Sequence, residues 1–190
     1  MDDVGHSPTS SHIRRLINGC KPKTLMAKAP RTKILTAAQV KRWASAARRR
    51  GQRIVATNGC FDLLHFGHVS YLQRARQLGD LLVIGLNSDA SCRQLKGPER
   101  PLVPEQQRAA VLAALECVDA VFIFREKRAH RFLATVQPDI YVKGGDYRPE
   151  TLDPRERAAL TGIGAKIRIL PFVPGFSTTG LIEKIRQTGL

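Results

Sequence analysis

A chain of 190 residues with 43% apolar residues can bury one globular core and carry a tail besides. No apolar run approaches the ~18 residues that a membrane-spanning helix needs. Cys20, Cys60, Cys92 and Cys117 stand apart with no CxxC pair, which argues against a disulfide framework or zinc ribbon and for a reducing, cytoplasmic setting.

The net charge of +15 invites a nucleic-acid reading, but its placement weakens that reading. Residues 1–53 hold 13 Lys and Arg against 2 Asp and Glu, whereas residues 54–190 hold 18 against 14. The later, mildly basic part suits polyanionic substrates. The early excess, with Lys41-Arg42 and Arg48-Arg49-Arg50, reads first as a solvated charge run and second as a contact for RNA or an anionic surface.

Residues 1–32 are rich in Ser, Thr, Pro and Lys, lack periodicity, and are expected to form a disordered basic tail ahead of a domain at 33–190. They contain no apolar stretch of a secretory signal, and Asp2 and Asp3 count against a transit peptide. Met26-Ala27-Lys28-Ala29-Pro30 reads as an alternative start of translation. The mass of the native protein tests this, and an N-terminus at Met1 would contradict it.

Thr36 is placed to cap a helix from Ala37 to about Arg50, which Gly51 ends. Its stripe of Val40, Trp43, Ala44 and Ala47 is expected to pack beside a first strand at Arg53–Ala56. A turn at 57–68 leads to a helix with apolar residues at 69, 72, 75 and 78. The continuous apolar run 81–86 reads as a buried parallel strand, followed by a long loop from Asn87 to Pro104. Pro104 opens a helix through Cys117; strand 120–124, helix Lys127–Val136, strand 140–143, an Asp153-capped helix at 154–161, strand 166–170 and a Ser177-capped helix to Gln187 follow. This alternation predicts an α/β fold, a Rossmann-like three-layer α/β/α sandwich with a five-stranded parallel sheet. Ligands in such sheets bind at the carboxyl ends of the strands, and the stretches 57–68, 87–100, 143–147 and 174–179 all fall there. The first turn lacks GxGxxG, which argues against an ordinary dinucleotide site.

Within 57–68, Gly59 and Gly67 allow close approach to the backbone, and His65 and His68 stand three residues apart where a helix begins. A helix start offers unpaired N–H groups and the positive end of the dipole, so two imidazoles there suggest work on a phosphate. The same spacing is half a metal site, although His6, His12 and His130 offer no obvious third ligand. A turn histidine can also be merely a satisfied polar residue.

The stretch Gly59-Cys60-Phe61-Asp62-Leu63-Leu64-His65-Phe66-Gly67-His68 resembles the GxFDxxHxGH signature of the HxGH nucleotidyltransferase superfamily, of the cytidylyltransferase type. Asn87–Ser91, Leu95-Lys96-Gly97, Arg100-Pro101, Gln107-Arg108, Val142–Tyr147 and Ser177-Thr178-Thr179 follow in the family's order, over about residues 33–188. Together they most closely resemble the ADP-heptose synthase adenylyltransferases.

The resemblance implies that His65, His68 and Lys96 are catalytic, with the histidines on the phosphate chain and Lys96 on the triphosphate; Arg100 is a weaker candidate there. It implies that Asn58, Gly59, Cys60, Phe61 and Gly67 line the nucleotide site and that Arg108 reaches the β- and γ-phosphates. Gly144, Gly145 and Asp146 would hold base and ribose, and Ser177, Thr178 and Thr179 a second anion site. Asp62, Asp89 and Lys143 would face the sugar phosphate, with a purely structural role for Asp62 equally open. No basic residue precedes Ser177-Thr178-Thr179, a departure that favours the heptose-type members over glycerol-phosphate cytidylyltransferases, and Gly145 stands where the cytidylyltransferases carry an acidic residue.

The implied substrates are ATP and D-glycero-β-D-manno-heptose 1-phosphate. Mg²⁺ would be carried by the triphosphate, with no dedicated protein metal site. A homodimer and a separate sugar kinase are expected partners; membrane and nucleic acid are not. The nearest rival reading is a cytidylyltransferase for glycerol 3-phosphate or another polyol phosphate. A rival of another class is a non-catalytic nucleotide- or RNA-binding module.

Overall fold

The computed structural model describes residues 30–145, 151–171 and 173–188. The expectations for residues 1–29, Asp146 and Tyr147 lie outside them. A 3-10 turn at Pro30–Lys33 straddles the expected domain boundary. Helix α1 (Ala37–Arg49) opens with a capping box: Thr36 Oγ1 accepts from the Gln39 amide at 3.3 Å, and Gln39 Oε1 accepts from the Thr36 amide at 2.8 Å. Gly51, at φ 69°, closes it, its amide on Arg48 O and that of Gln52 on Ala47 O.

Five parallel strands follow: β1 (Ile54–Gly59), β2 (Leu81–Asn87), β3 (Ala120–Phe124), β4 (Ile140–Gly144) and β5 (Lys166–Leu170). Their spatial order is β3-β2-β1-β4-β5. The chain therefore winds outward through β2 and β3, then returns to the far side of β1. That reversal opens a crevice above the carboxyl ends of β1 and β4, the switch point where such sheets take ligands.

Helices α2 (Phe66–Arg76) and α4 (Glu105–Ala114) cover one face, where Leu72, Ala75, Ala109 and Leu112 pack on Val55, Ile84 and Val121. Helices α1, α5 (His130–Val136) and α6 (Pro154–Gly162) cover the other, where Ala44, Phe132, Leu133 and Leu160 pack on Ala56, Val83 and Tyr141. Gly85 permits that second layer: a Cβ there would lie 2.7 Å from the Phe132 ring. Burying a ring of that kind stabilises by roughly 1.5–3 kcal/mol. Helix α7 (Thr178–Gln187) buries no residue fully. Among the described residues no helix is long and apolar enough to cross a membrane.

Several boundaries differ from the sequence expectation, among them the first strand, which runs through Gly59 rather than ending at Ala56. The loop expected from Asn87 to Pro104 contains a helix, α3 (Asp89–Lys96). Its amphipathic stripe is too short to show a period, and its start depends on Ser88 Oγ accepting from the Ser91 amide at 3.2 Å and on a distant Glu105 accepting from the Asp89 amide at 2.7 Å. Helix α5 begins at His130 rather than Lys127, and α4 ends at Ala114 rather than Cys117.

Candidate active site

Beyond β1 the chain turns through Cys60–Leu64, with Phe61 buried at φ 43°. His65 then serves as N-cap of α2 without closing the cap with its own side chain. The His65 and His68 rings stack at 3.9 Å between centroids with 29° between planes. Gly67 makes room for this: a Cβ there would stand 3.0 Å from Phe176 Cβ and 3.1 Å from His65 Nδ1. Phe176 lies parallel to His65 at 6.5 Å, and Phe61 lies 5.4 Å from His68.

Both histidine Nδ1 atoms are buried and have no hydrogen-bond partner among the described residues. Burial lowers the pKa of each. His68 falls to about 4, through burial first and the neighbouring His65 second, against an opposing hydrogen bond with the Leu63 backbone. The pair is therefore neutral at pH 7. Each ring offers one N–H and one lone pair, and a buried nitrogen left unpartnered costs roughly 1–3 kcal/mol until a ligand reaches it.

The histidines open into a cavity of about 930 Å³, large enough for a nucleotide. Of the residues singled out in the sequence, Asn58, Gly59, Cys60, Phe61, Asp62, His65, Gly67, His68, Lys96, Arg100, Lys143, Gly144, Ser177, Thr178 and Thr179 line it. Ser177 Oγ caps α7 by accepting from the Gly180 amide at 3.0 Å, which leaves the amides of Thr178 and Thr179 for an anion. Lys143 is buried, donates to Asn58 Oδ1 at 2.9 Å and lies 3.8 Å from Glu156 Oε2. Burial lowers its pKa, with Glu156 opposing.

Three of the expected site residues lie outside the described cavity lining, and this corrects the sequence reading. Arg108 does not reach the cavity. It is 2% exposed and lies beneath the floor, donating to Val103 O at 2.8 Å, Asn87 O at 2.9 Å, Asp89 Oδ1 at 2.7 Å and the Cys60 carbonyl. Asp89 does not face a sugar phosphate, because its carboxylate is the partner of that guanidinium. Gly145, too, is not among the described lining residues; its amide donates to Leu170 O at 2.9 Å. Asp62 faces the cavity but is spent on structure: its carboxylate accepts from Arg100 Nε at 2.7 Å and from the Leu102 and Val103 amides at 2.9 Å.

Lys127, Arg128, Asp153 and Glu156 also line the cavity, and the sequence reading passed over them. Lys127 and Arg128 follow β3, at the same edge as the other motifs, and that position was the available signal. Arg128 pairs with Asp153 at 3.3 Å, whereas Lys96 and Lys127 are exposed and make no ion pair among the described residues. No group of three or more His, Cys, Asp or Glu among the described residues could hold a metal ion.

A parallel sheet with a stacked pair of neutral histidines beside a nucleotide-sized cavity at its switch point has the build of a ligand-binding α/β protein. Residues 56–184 match the family model described as cytidylyltransferase-like. The chain belongs to that family and thereby to the nucleotidyltransferase enzymes. It is 57% identical over 141 residues to the bifunctional protein HldE of Geotalea uraniireducens (strain Rf4), a match covering 74% of this chain and 28% of that protein. It is 49% identical over 156 residues to the HldE of Aeromonas hydrophila subsp. hydrophila, covering 82% of this chain and 32% of that one. The chain thus corresponds to under a third of the length of these relatives. Among solved structures, the lipopolysaccharide core biosynthesis protein of Thermoplasma volcanium GSS1 superposes with a TM-score of 0.54 at 29% identity, covering 65% of this chain and 98% of that one. The pantoate-beta-alanine ligase of Francisella tularensis, at 14% identity and TM-score 0.52, covers 83% and 78% and shares the fold alone.

Proposed function

We propose that this chain transfers AMP from ATP to D-glycero-β-D-manno-heptose 1-phosphate, giving ADP-heptose and pyrophosphate. The observation that carries the reaction class is the stacked, neutral His65–His68 pair, unpartnered at Nδ1 and open to a nucleotide-sized cavity. Similarity to the HldE proteins and to a lipopolysaccharide core biosynthesis protein supports a sugar-phosphate substrate. The resemblance of the Asn87–Ser91, Leu95–Gly97 and Val142–Tyr147 stretches to ADP-heptose synthases supports ATP and the heptose. A kinase reaction would supply the 1-phosphate, and a homodimer is the expected assembly.

In this reading an oxygen of the sugar phosphate attacks the α-phosphorus of ATP, and the bond to the β-phosphate breaks. The chain contributes position and charge rather than a covalent intermediate. His65 and His68 bring their ring nitrogens to where charge grows on the α-phosphate, and a hydrogen bond donated there is worth roughly 3 kcal/mol by analogy with oxyanion donors. Lys96 and the Thr178 and Thr179 amides hold the departing phosphates. Lys127, Arg128 and Lys143 place cations on the wall towards β3 and β4. Magnesium would neutralise phosphate charge, held by the triphosphate and water.

The test is pyrophosphate release with Mg²⁺, crossing ATP and CTP with heptose 1-phosphate and glycerol 3-phosphate, beside His65→Ala. Release only with ATP and the heptose, abolished in the variant, is the expected result. Release only with CTP would keep the site and overturn the substrates. Absence of release in every pairing would overturn the proposal.

A further inference from the structure

The cavity holds two thiols that nucleotidyl transfer does not use. Cys60 follows β1 and is half-buried; Cys92 lies in α3 and is fully buried; both line the cavity. Cys92 Sγ donates to Asn87 O at 3.6 Å, and the two thiols are close enough to perturb each other's ionisation. The segments bearing them are held together by one guanidinium, since Arg108 donates to the Cys60 carbonyl, to Asn87 O and to Asp89 Oδ1. Lys96, one helical turn beyond Cys92, adds positive charge at the same wall.

This arrangement divides the two sulfurs into different roles. The Cys60 thiol is lowered to about 7, first by the hydrogen bond from Cys92 and further by Lys96 and Arg108, against desolvation. Cys92 is pushed up by the bond to Cys60 and by burial, so it keeps its proton. A thiolate beside a protonated thiol is the pairing of an attacking and a resolving cysteine. Cys117, whose thiol burial pushes up, provides an internal reference.

We propose that Cys60 and Cys92 are a redox modification site, converted by a peroxide to a disulfide across the phosphate cavity and restored by a thiol reductant. The Cys60 thiolate attacks one peroxide oxygen and the O–O bond breaks. The leaving hydroxide takes up a proton and departs as water, and Cys60 becomes a sulfenic acid. Cys92 sulfur then attacks Cys60 sulfur, the S–O bond breaks, and the Cys92 proton leaves with that oxygen as a second water. Two thiols are oxidised by two electrons and one peroxide is reduced to two waters. The disulfide ties α3 to the end of β1 and removes the Cys60 thiolate from the cavity wall. Weakened ATP binding in the oxidised form is the functional consequence; it rests on the nucleotidyltransferase reading, whereas the bond itself does not.

The experiment treats the full chain with graded hydrogen peroxide, blocks remaining thiols with N-ethylmaleimide and maps peptides by mass. The expected result is a linked Cys60–Cys92 peptide pair, formed at doses that leave Cys117 alkylated and lost on adding dithiothreitol. Without peroxide at pH 7, maleimide should label Cys60 roughly tenfold faster than Cys117. In Cys92→Ser, Cys60 should gain oxygen instead of a link. Cys60 and Cys92 both alkylated at doses that oxidise Cys117 would overturn the proposal, as would irreversible oxygen gain at Cys60 with Cys92 free in the unaltered chain. ATP affinity of reduced and oxidised samples separates the two readings. A linked pair with unchanged ATP affinity overturns the functional consequence, and no ATP binding by the reduced chain overturns the nucleotidyltransferase reading while leaving the thiol pair standing.

Discussion

The two edges of the sheet are wired in opposite ways. At the amino-terminal edge, polar groups are answered within the chain: Asp139 accepts from the Ile54 amide at 2.7 Å, Asp119 from the Leu82 amide at 2.8 Å and Asp80 from the Arg53 amide at 2.7 Å. At the carboxyl edge, the buried Nδ1 atoms of His65, His68 and, at the start of α5, His130 have no described partner, and Lys96 and Lys127 make no ion pair among the described residues. Satisfied groups hold a fold together, whereas unsatisfied ones mark where a ligand completes it. Arg108 sharpens the contrast, because it stands at the carboxyl edge and is wired like the amino edge.

Removing Arg108 should break that wiring with the largest effect on the fold. Arg108→Ala strands the carbonyls of Cys60, Asn87 and Val103 and the Asp89 carboxylate, and should cost about 3–5 kcal/mol in urea unfolding. If it were a triphosphate ligand instead, stability would hold and only turnover would fall. His68→Ala should do the reverse, lowering turnover about 10²–10³-fold, with far less effect on unfolding.

Acid tests the same histidine. The folded pKa of His68, near 4, lies below its ordinary 6.5, so the unfolded chain takes up the proton first as pH falls. Stability should therefore be complete above about pH 6.5 and decline between 6.5 and 4, by on the order of 2–3 kcal/mol, with the slope reduced in His68→Ala. At the other edge, Asp139→Ala should cost about 1–2 kcal/mol through the orphaned Ile54 amide, with turnover unchanged.

The alternation of strands and helices was legible because each strand is a buried apolar run and most helices carry a cap. Thr36, Asp153 and Ser177 all cap as read. The turn 57–68 was legible because its glycines and histidines are needed locally. Helix α3 was not, since its start depends on Glu105, sixteen residues on. Nor could sequence spacing distinguish Arg108 from Lys96: both are cations in a matched motif, and only packing shows that one faces inward to four acceptors and the other outward. Lys127 was missed because its segment was read as helix, which hid its place at the ligand-binding edge.

A triphosphate that completes the two imidazoles at the switch point must change their surroundings and their charge. The most direct measurement is a pH titration of the histidine ring signals by NMR, with and without saturating ATP. ATP is expected to move the His65 and His68 signals and to raise the His68 midpoint above its ligand-free value near 4, because the bound polyanion favours the protonated ring. Ring signals and midpoints unchanged in the presence of bound ATP would contradict it.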